Sequence, residues 1–265
     1  MTDTSIRPAT LTVLTVSLNC RELFIATAKS LPRELPEWLR WVVVDGGSTD
    51  GTVEAIRAEP RVTQYVTEKD GGVYEAYNKA WRLASSDYVL YLNCGDTLSE
   101  GALRLLDAWH SSTSTDSARA VHCFPVVMSC NQRTWHPDPD RLVEGMSVPT
   151  PGVLFPKAAL DSIGGFDQHL RIASDFGALL AIKLANWRFQ VHSEALTHYL
   201  GGGLSQQHQH LAFFEECMLQ LRQRAQTPAQ VLFRAARRAI LDVDPKLVPF
   251  RRWRIAFALG RRFLY

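Results

Sequence analysis

The feature that most limits how this chain can fold is a repeated pair: a short, β-branched apolar run, then a polar residue that stops it. Leu11–Leu18 reads LTVLTVSL and is followed by Asn19; Trp41–Val44 reads WVVV and ends in Asp45-Gly46-Gly47-Ser48-Thr49-Asp50-Gly51. Val62–Thr67 leads to Asp70-Gly71-Gly72, and Tyr88–Leu92 (YVLYL) leads to Asn93-Cys94-Gly95-Asp96. Apolar runs this short, bounded by turn residues, are buried strands. Helical spacing fills the intervals at 21–31, 52–58 and 73–84, with Pro32 stopping the first. Strands alternating with helices over about the first 110 residues predict an α/β fold with a doubly wound, mostly parallel sheet.

In such a sheet the carboxyl ends of the strands open on one crevice. Ser17, Asn19, Asp45, Asp50, Asp70, Asn93 and Asp96 all fall at those ends. One acidic loop is ordinary turn chemistry; four on one rim predict a binding site. From about 118 to 172 the rhythm stops, with strand-like pieces at 120–128 and a Pro-containing loop.

The rim does not look built for a bare phosphate. The chain has no G-x-x-x-x-G-K-[ST] loop, and no G-x-G-x-x-G follows the first strand. Carboxylates repel phosphate unless a divalent cation stands between them, so Mg²⁺ or Mn²⁺ with a diphosphate is the consistent ligand pair. Asp96 is the natural metal ligand on this reading. Asp45 and Asp70 suit a base N–H or ribose hydroxyls.

The segments TVSLN (15–19), VVVDGGSTDGT (42–52), EKDGGVYEAYNKA (68–80), YVLYLNCGD (88–96), GGFDQHLRIASDF (164–176) and HYLGGGLS (198–205) together resemble family 2 glycosyltransferases. The similarity covers about Leu11 to Ser205 and is to bacterial surface-polysaccharide enzymes of the colanic-acid type. It implies a GT-A (nucleotide-diphospho-sugar transferase) fold and inverting sugar transfer from a nucleotide-diphosphate donor with Mn²⁺ or Mg²⁺. Carried over by position, Thr15, Ser17, Asn19, Asp45, Asp70, Asn78, Lys79 and Asn93 belong to nucleotide-sugar binding. Asp96 ends the metal motif, whose first acidic position is Asn93 or Cys94 here. His198, before Gly201-Gly202-Gly203, supplies a further metal ligand or touches the diphosphate. Asp175 takes the place of the catalytic base. Where related chains carry a Cys-His-Gln-like motif facing the acceptor, this one has Thr150-Pro151-Gly152.

Blander readings compete. Asp175 also suits the first turn of a helix, Asp50 a cap for the helix at Thr52, and Tyr74 and Tyr77 packing. His208 and His210 suit a solvated helix start. A nucleotide-sugar pyrophosphorylase is the alternative enzyme class, but SLNCREL replaces its Gly-rich loop. A nucleotide-sugar-binding pseudoenzyme is the other alternative.

Charge is divided along the chain. Residues 1–221 hold 18 Lys/Arg against 25 Asp/Glu, net −7, and residues 222–265 hold 11 against 2, net +9. Helical patterns at 206–224 and 228–241 precede FRRWRIAFALGRRFLY (250–265), where Phe250, Trp253, Phe257 and Leu264 share a face apart from the arginines. The expected organisation is a catalytic domain over 1–205 (nucleotide half 1–110, acceptor half 111–205) and a helical basic extension over 206–265. An amphipathic basic helix suits an anionic membrane surface; docking on its own acidic body or a homodimer contact are the alternatives. Nucleic acid is not expected, because no binding module accompanies the charge. No apolar run reaches the roughly 18–20 residues of a membrane span, and the first ten residues lack the apolar core of a secretory signal. Five cysteines without C-x-x-C spacing suit reduced thiols. The expected place is the cytoplasm, peripheral on the inner face of the cell membrane, with a lipid-linked saccharide as acceptor.

Overall fold

A computed structural model describes residues 7–113 and 120–242. The chain forms two compact units, Met1–Glu216 and Cys217–Tyr265. The amphipathic segment expected at 250–265 lies outside the described residues.

The first unit opens with β1 (Leu11–Ser17), α1 (Arg21–Ser30), β2 (Leu39–Asp45), α2 (Thr52–Ala58), β3 (Gln64–Thr67), α3 (Val73–Leu83) and β4 (Tyr88–Tyr91). There follow β5 (Thr97–Leu98), α4 (Ala102–Ser112), β6 (Ala120–Cys123), β7 (Val126–Met128), β8 (Arg133–Trp135) and β9 (Val153–Pro156). It continues with α5 (Lys157–Ile163), α6 (Ser174–Leu184), β10 (Arg188–Val191), β11 (Thr197–Tyr199) and α7 (Leu204–Gln207). The helix α8 (Gln209–Arg222) runs from the first unit into the second, which contains α9 (Pro228–Asp242).

Seven strands make the main sheet in the order β10-β6-β9-β4-β1-β2-β3, and four make a small sheet, β5-β11-β7-β8. β1, β2, β3 and β4 pair in parallel as the alternating pattern predicts. The rhythm fails after α4 because β9 inserts antiparallel between β4 and β6. The first strand stops at Ser17, one residue early: Leu18 is 60% exposed and Asn19 takes a positive φ of 48°.

The register sets the rim. Ser17, Asp45 and Thr67 stand opposite one another across β1, β2 and β3, so their side chains share one face of the sheet. Below them the core is packed by Phe24 stacked on Trp41 at 5.4 Å, with Leu11, Val13, Val43, Ile56, Leu90 and Leu106 around them. Burying side chains of this size contributes roughly 1.5–3 kcal/mol each, which ties the strand ends to a rigid base.

Candidate active site

The β2–α2 loop is organised by one carboxylate. Asp45 is fully buried at the end of β2. Its Oδ1 accepts from the hydroxyls of Ser17 (2.9 Å) and Ser48 (2.5 Å). Its Oδ2 accepts from the Gly47 and Ser48 amides (3.0 and 2.8 Å) and the Thr67 hydroxyl (2.9 Å). Burial alone raises a carboxyl pKa, but the bonds from Ser48, Thr67 and Ser17 outweigh it and hold Asp45 below its ordinary range. Asp50 accepts from the Thr52 amide at the start of α2 at 3.1 Å and from the Arg21 amide at the start of α1 at 3.1 Å. Asn19 accepts from the Thr49 amide at 2.9 Å and donates its own to Ser48 Oγ at 2.7 Å, joining the first two rim loops.

The third loop joins the same rim. A Cβ added at Gly46 would stand 3.4 Å from Asp70 Oδ2, so the Asp70 carboxylate lies against the β2–α2 loop. Burial raises the Asp70 pKa, opposed by the ion pair with Lys79. The Lys79 ammonium also meets Glu68 at 2.8 Å and Glu75 at 2.9 Å. Burial works against that charge, yet the three carboxylates outweigh it and raise its pKa.

Two expected contacts face the interior instead. Thr15 is fully buried; its hydroxyl donates to the Leu92 carbonyl at 2.7 Å and accepts from Trp41 Nε1 at 2.9 Å. Asn78 is 2% exposed. It donates to the Phe166 carbonyl at 2.7 Å and accepts from the Phe166 amide at 2.9 Å and Trp81 Nε1 at 3.0 Å. Both residues brace the rim from behind. The family resemblance placed Thr15 with Ser17, but the sequence held no sign that Trp41 Nε1 occupies its hydroxyl. Gly165, at φ 83°, lies so near that a Cβ there would fall 2.4 Å from Asn78 Oδ1.

Asp96 follows β4 and is 4% exposed. Its Oδ1 accepts the Leu200 amide at 2.9 Å, and burial pushes its pKa up to about 7 against that bond. Asn93 donates through Nδ2 to the Tyr77 hydroxyl, and its Oδ1 is buried with no partner. Cys94 is no substitute acid: its contact with Cys20 and its burial raise its pKa. His198 pairs with Thr97 across β5 and β11, so the alternation of a strand sets it on the opposite pleat from residue 96. Among the described residues no group of three or more His, Cys, Asp or Glu is assembled for a metal. The donor set still suits Mg²⁺ or Mn²⁺, which ordinarily bind through one or two carboxylates plus substrate phosphate and water. Asp96 has a carboxylate oxygen beyond the one facing Leu200 to offer.

Asp175 stands in the first turn of α6 and is half-buried. Oδ2 accepts from Thr150 Oγ1 at 3.0 Å, and Oδ1 from the Phe176 amide at 2.8 Å and, more distantly, the Tyr74 hydroxyl at 3.3 Å. Burial raises its pKa against these bonds, leaving a carboxylate with a stronger hold on a proton. Thr150 thus replaces an expected motif by gripping this carboxylate. Tyr74 and Tyr77 lie in an aromatic cluster with Tyr91 and Phe166. Tyr77 is the meeting point: burial first, then the charges of Asp175 and Asp96, raise its pKa. The two carboxylates are therefore both within electrostatic reach of one phenol. Spacing at 74 and 77 hinted at packing, and nothing in sequence revealed this link.

The profile described as Glycosyl transferase family 2 matches residues 12–139. An uncharacterized glycosyltransferase of Mycobacterium tuberculosis is 27% identical over 182 residues, 66% of this chain and 69% of that protein. A PGL/p-HBAD biosynthesis glycosyltransferase of Mycobacterium bovis is 25% identical over 171 residues, 62% of this chain and 66% of that protein.

Among solved structures, S. aureus TarS 1-349 in complex with UDP-GlcNAc superposes with a TM-score of 0.61 at 18% identity, covering 73% of this chain and 59% of that one. This chain thus spans less than two thirds of that TarS fragment. Mannosyltransferase PcManGT from Pyrobaculum calidifontis, in complex with GDP-Man and Mn²⁺, superposes at 0.60 with 16% identity, covering 98% and 86%. The chain is thus similar to glycosyltransferase family 2 over residues 12–139 and has the GT-A fold.

Proposed function

We propose that this protein is an inverting, divalent-metal-dependent glycosyltransferase moving a sugar from a nucleotide-diphosphate donor to a lipid-linked saccharide of a surface polysaccharide. The observation that carries this reading is that α3 joins the two acidic positions: the Tyr74 hydroxyl stands 3.3 Å from Asp175 Oδ1, and Tyr77 bonds Asn93, whose carbonyl accepts the Asp96 amide at 3.0 Å. Asp70, Lys79 and the loop around Asp45 receive the nucleoside, with Ser17, Asn19 and Asn93 on the same rim. Asp96 would hold the cation, which when bound would neutralise the diphosphate. Complexes of TarS with UDP-GlcNAc and PcManGT with GDP-Man and Mn²⁺ support a nucleotide-sugar donor and a metal.

Asp175 removes the proton of the acceptor hydroxyl as that oxygen attacks C1 of the donor sugar. The bond from C1 to the phosphate oxygen breaks on the opposite face, the nucleoside diphosphate leaves with the electron pair, and configuration inverts. The carboxylic acid so formed on Asp175 returns its proton to water.

The basic C-terminal segment holds the enzyme on the inner face of an anionic membrane. Among the described residues no helix is long and apolar enough to cross a membrane, and Leu232 and Phe233 on α9 are 70% and 71% exposed. Full-length protein should sediment with vesicles containing anionic lipid and lose that with Arg251, Arg254, Arg261 and Arg262 changed to Gln; equal sedimentation would sink the tether.

The central test is a thermal-shift screen of UDP-, GDP- and dTDP-sugars with and without Mn²⁺. A metal-dependent rise with one donor is expected; the absence of any such rise refutes the assignment.

A further inference from the structure

Asp175 can act on a proton only if the backbone leading to it is fixed, and that backbone is irregular. Residues 171–173 form the approach to α6, and their three successive amides point the same way. A single carboxylate gathers all of them. Glu215 Oε1 accepts the Arg171 amide at 2.9 Å, and Oε2 accepts the Ile172 and Ala173 amides, each at 2.9 Å. Glu215 comes from α8, 42 to 44 residues further along the chain, and is 7% exposed. On the other side of the same segment, the Tyr74 hydroxyl donates to the Ile172 carbonyl. Segment 171–173 is therefore gripped through its amides by α8 and through a carbonyl by α3, immediately before Asp175.

A buried glutamate is costly to desolvate unless its charge is matched. Here three N–H donors and the N-terminus of α6 match it, and charge-assisted bonds of this kind are about twice as strong as neutral ones. Nothing about fold stability requires them to converge just ahead of the catalytic carboxylate. α8 lies beyond the last motif shared with the glycosyltransferases, so its part in the site was not visible in the sequence.

We infer that Glu215 is a positioning residue for the transfer reaction: its carboxylate clamps backbone 171–173 and so sets Asp175 against the acceptor hydroxyl. This rests on the reading of Asp175 as the base. Glu215 touches neither donor nor acceptor on this account, so its loss should change the chemical step and leave donor binding alone.

The experiment uses the full-length protein with Glu215→Gln, Glu215→Asp and Asp175→Asn, all assayed for nucleotide release from UDP-GlcNAc and GDP-Man with Mn²⁺. Glu215→Gln keeps the shape but offers one acceptor oxygen in place of two. In hydrogen exchange, amides 171–173 should lose protection while the interior of α6 keeps it. The kcat should fall on the order of 10- to 100-fold, as for a catalytic group misplaced by about an ångström, with donor KM within about twofold.

Glu215→Asp should recover part of both the protection and the turnover. Unchanged exchange at 171–173, or unchanged kcat in a folded Glu215→Gln protein, overturns the inference. Turnover surviving Asp175→Asn would instead remove Asp175 as the base, while the exchange measurement still decides whether the clamp exists.

Discussion

Asp96 and Leu200 are joined across 104 residues of sequence by one hydrogen bond, the Leu200 amide donating to Asp96 Oδ1 at 2.9 Å. It brings the glycine-rich segment after β11 onto the end of β4, beside the only carboxylate of the expected metal motif. A buried acid with a pKa pushed up to about 7 by burial is a site that gains from a neighbouring cation.

Asp96→Asn should therefore keep the Leu200 bond through its amide oxygen while removing the charge. The melting temperature without metal should hold or rise. The Mn²⁺-dependent part of donor stabilisation, about 2.7 kcal/mol at a hundredfold excess over Kd, should vanish. Thermal melts with and without Mn²⁺ check this; a full metal-dependent shift in the variant contradicts it.

Asp45→Ala should be among the most destabilising single changes in the first unit. It strands the hydroxyls of Ser17 and Thr67 and the amides of Gly47 and Ser48 in a buried corner. Each buried donor left without its acceptor costs roughly 1–3 kcal/mol. The wild-type carboxyl has a depressed pKa, so its contribution is complete above the unfolded value of about 3.9 and disappears as pH falls through the folded one. Urea unfolding at pH 7 and about pH 2.5 should show a smaller gap between wild type and variant at the lower pH.

Acid sensitivity should have a second source. His122 is buried and bonded through Nδ1 to His192 Nε2 at 3.0 Å, and burial, then His192 and Arg188, lower its pKa to about 3. A lowered folded pKa means the stabilisation is present above the unfolded value of about 6.5 and is lost as pH falls from there toward 3. At pH 5 the loss amounts to about 2 kcal/mol. His122→Phe, seated between Tyr88 and Trp109, should flatten the slope of stability between pH 6.5 and 5 in chemical denaturation.

Gly165→Ala should harm both stability and turnover. The position is left-handed at φ 83°, and the added Cβ would lie 2.4 Å from Asn78 Oδ1 and 2.9 Å from Trp81 Nε1. The backbone alone costs roughly 1–2 kcal/mol, and the clash breaks the Asn78 clamp on Phe166. Gly164→Ala, equally left-handed but with open space around its Cβ, separates the two: only the backbone cost should appear in its unfolding curve.

The parallel half of the fold was legible because each of its strands is a contiguous apolar run with its own stop signal. β9, β10 and β11 escaped notice because VLFP, RFQV and THY are too short and mixed to show a period. The rim acids could be placed from strand ends alone. Their partners could not, since Ser17–Asp45–Thr67 depends on register and Asp175–Thr150 on a contact between segments 25 residues apart. Thr15 and Asn78 show the limit from the other direction: a residue may match a motif and still turn its polar atoms inward.

Helix α3 carries Tyr74 against Asp175, Tyr77 against Asn93, Asn78 against Phe166 and Lys79 against Asp70. Five residues, about 7.5 Å of rise, separate the contact to the base from the contact to the nucleoside rim. Adding or deleting one residue inside that interval would swing everything beyond it by about 100° around the helix axis. The helix therefore acts as a gauge block between two halves of a machine. Chains descended from this one can lengthen their surface loops freely, but this spacing has to be inherited whole.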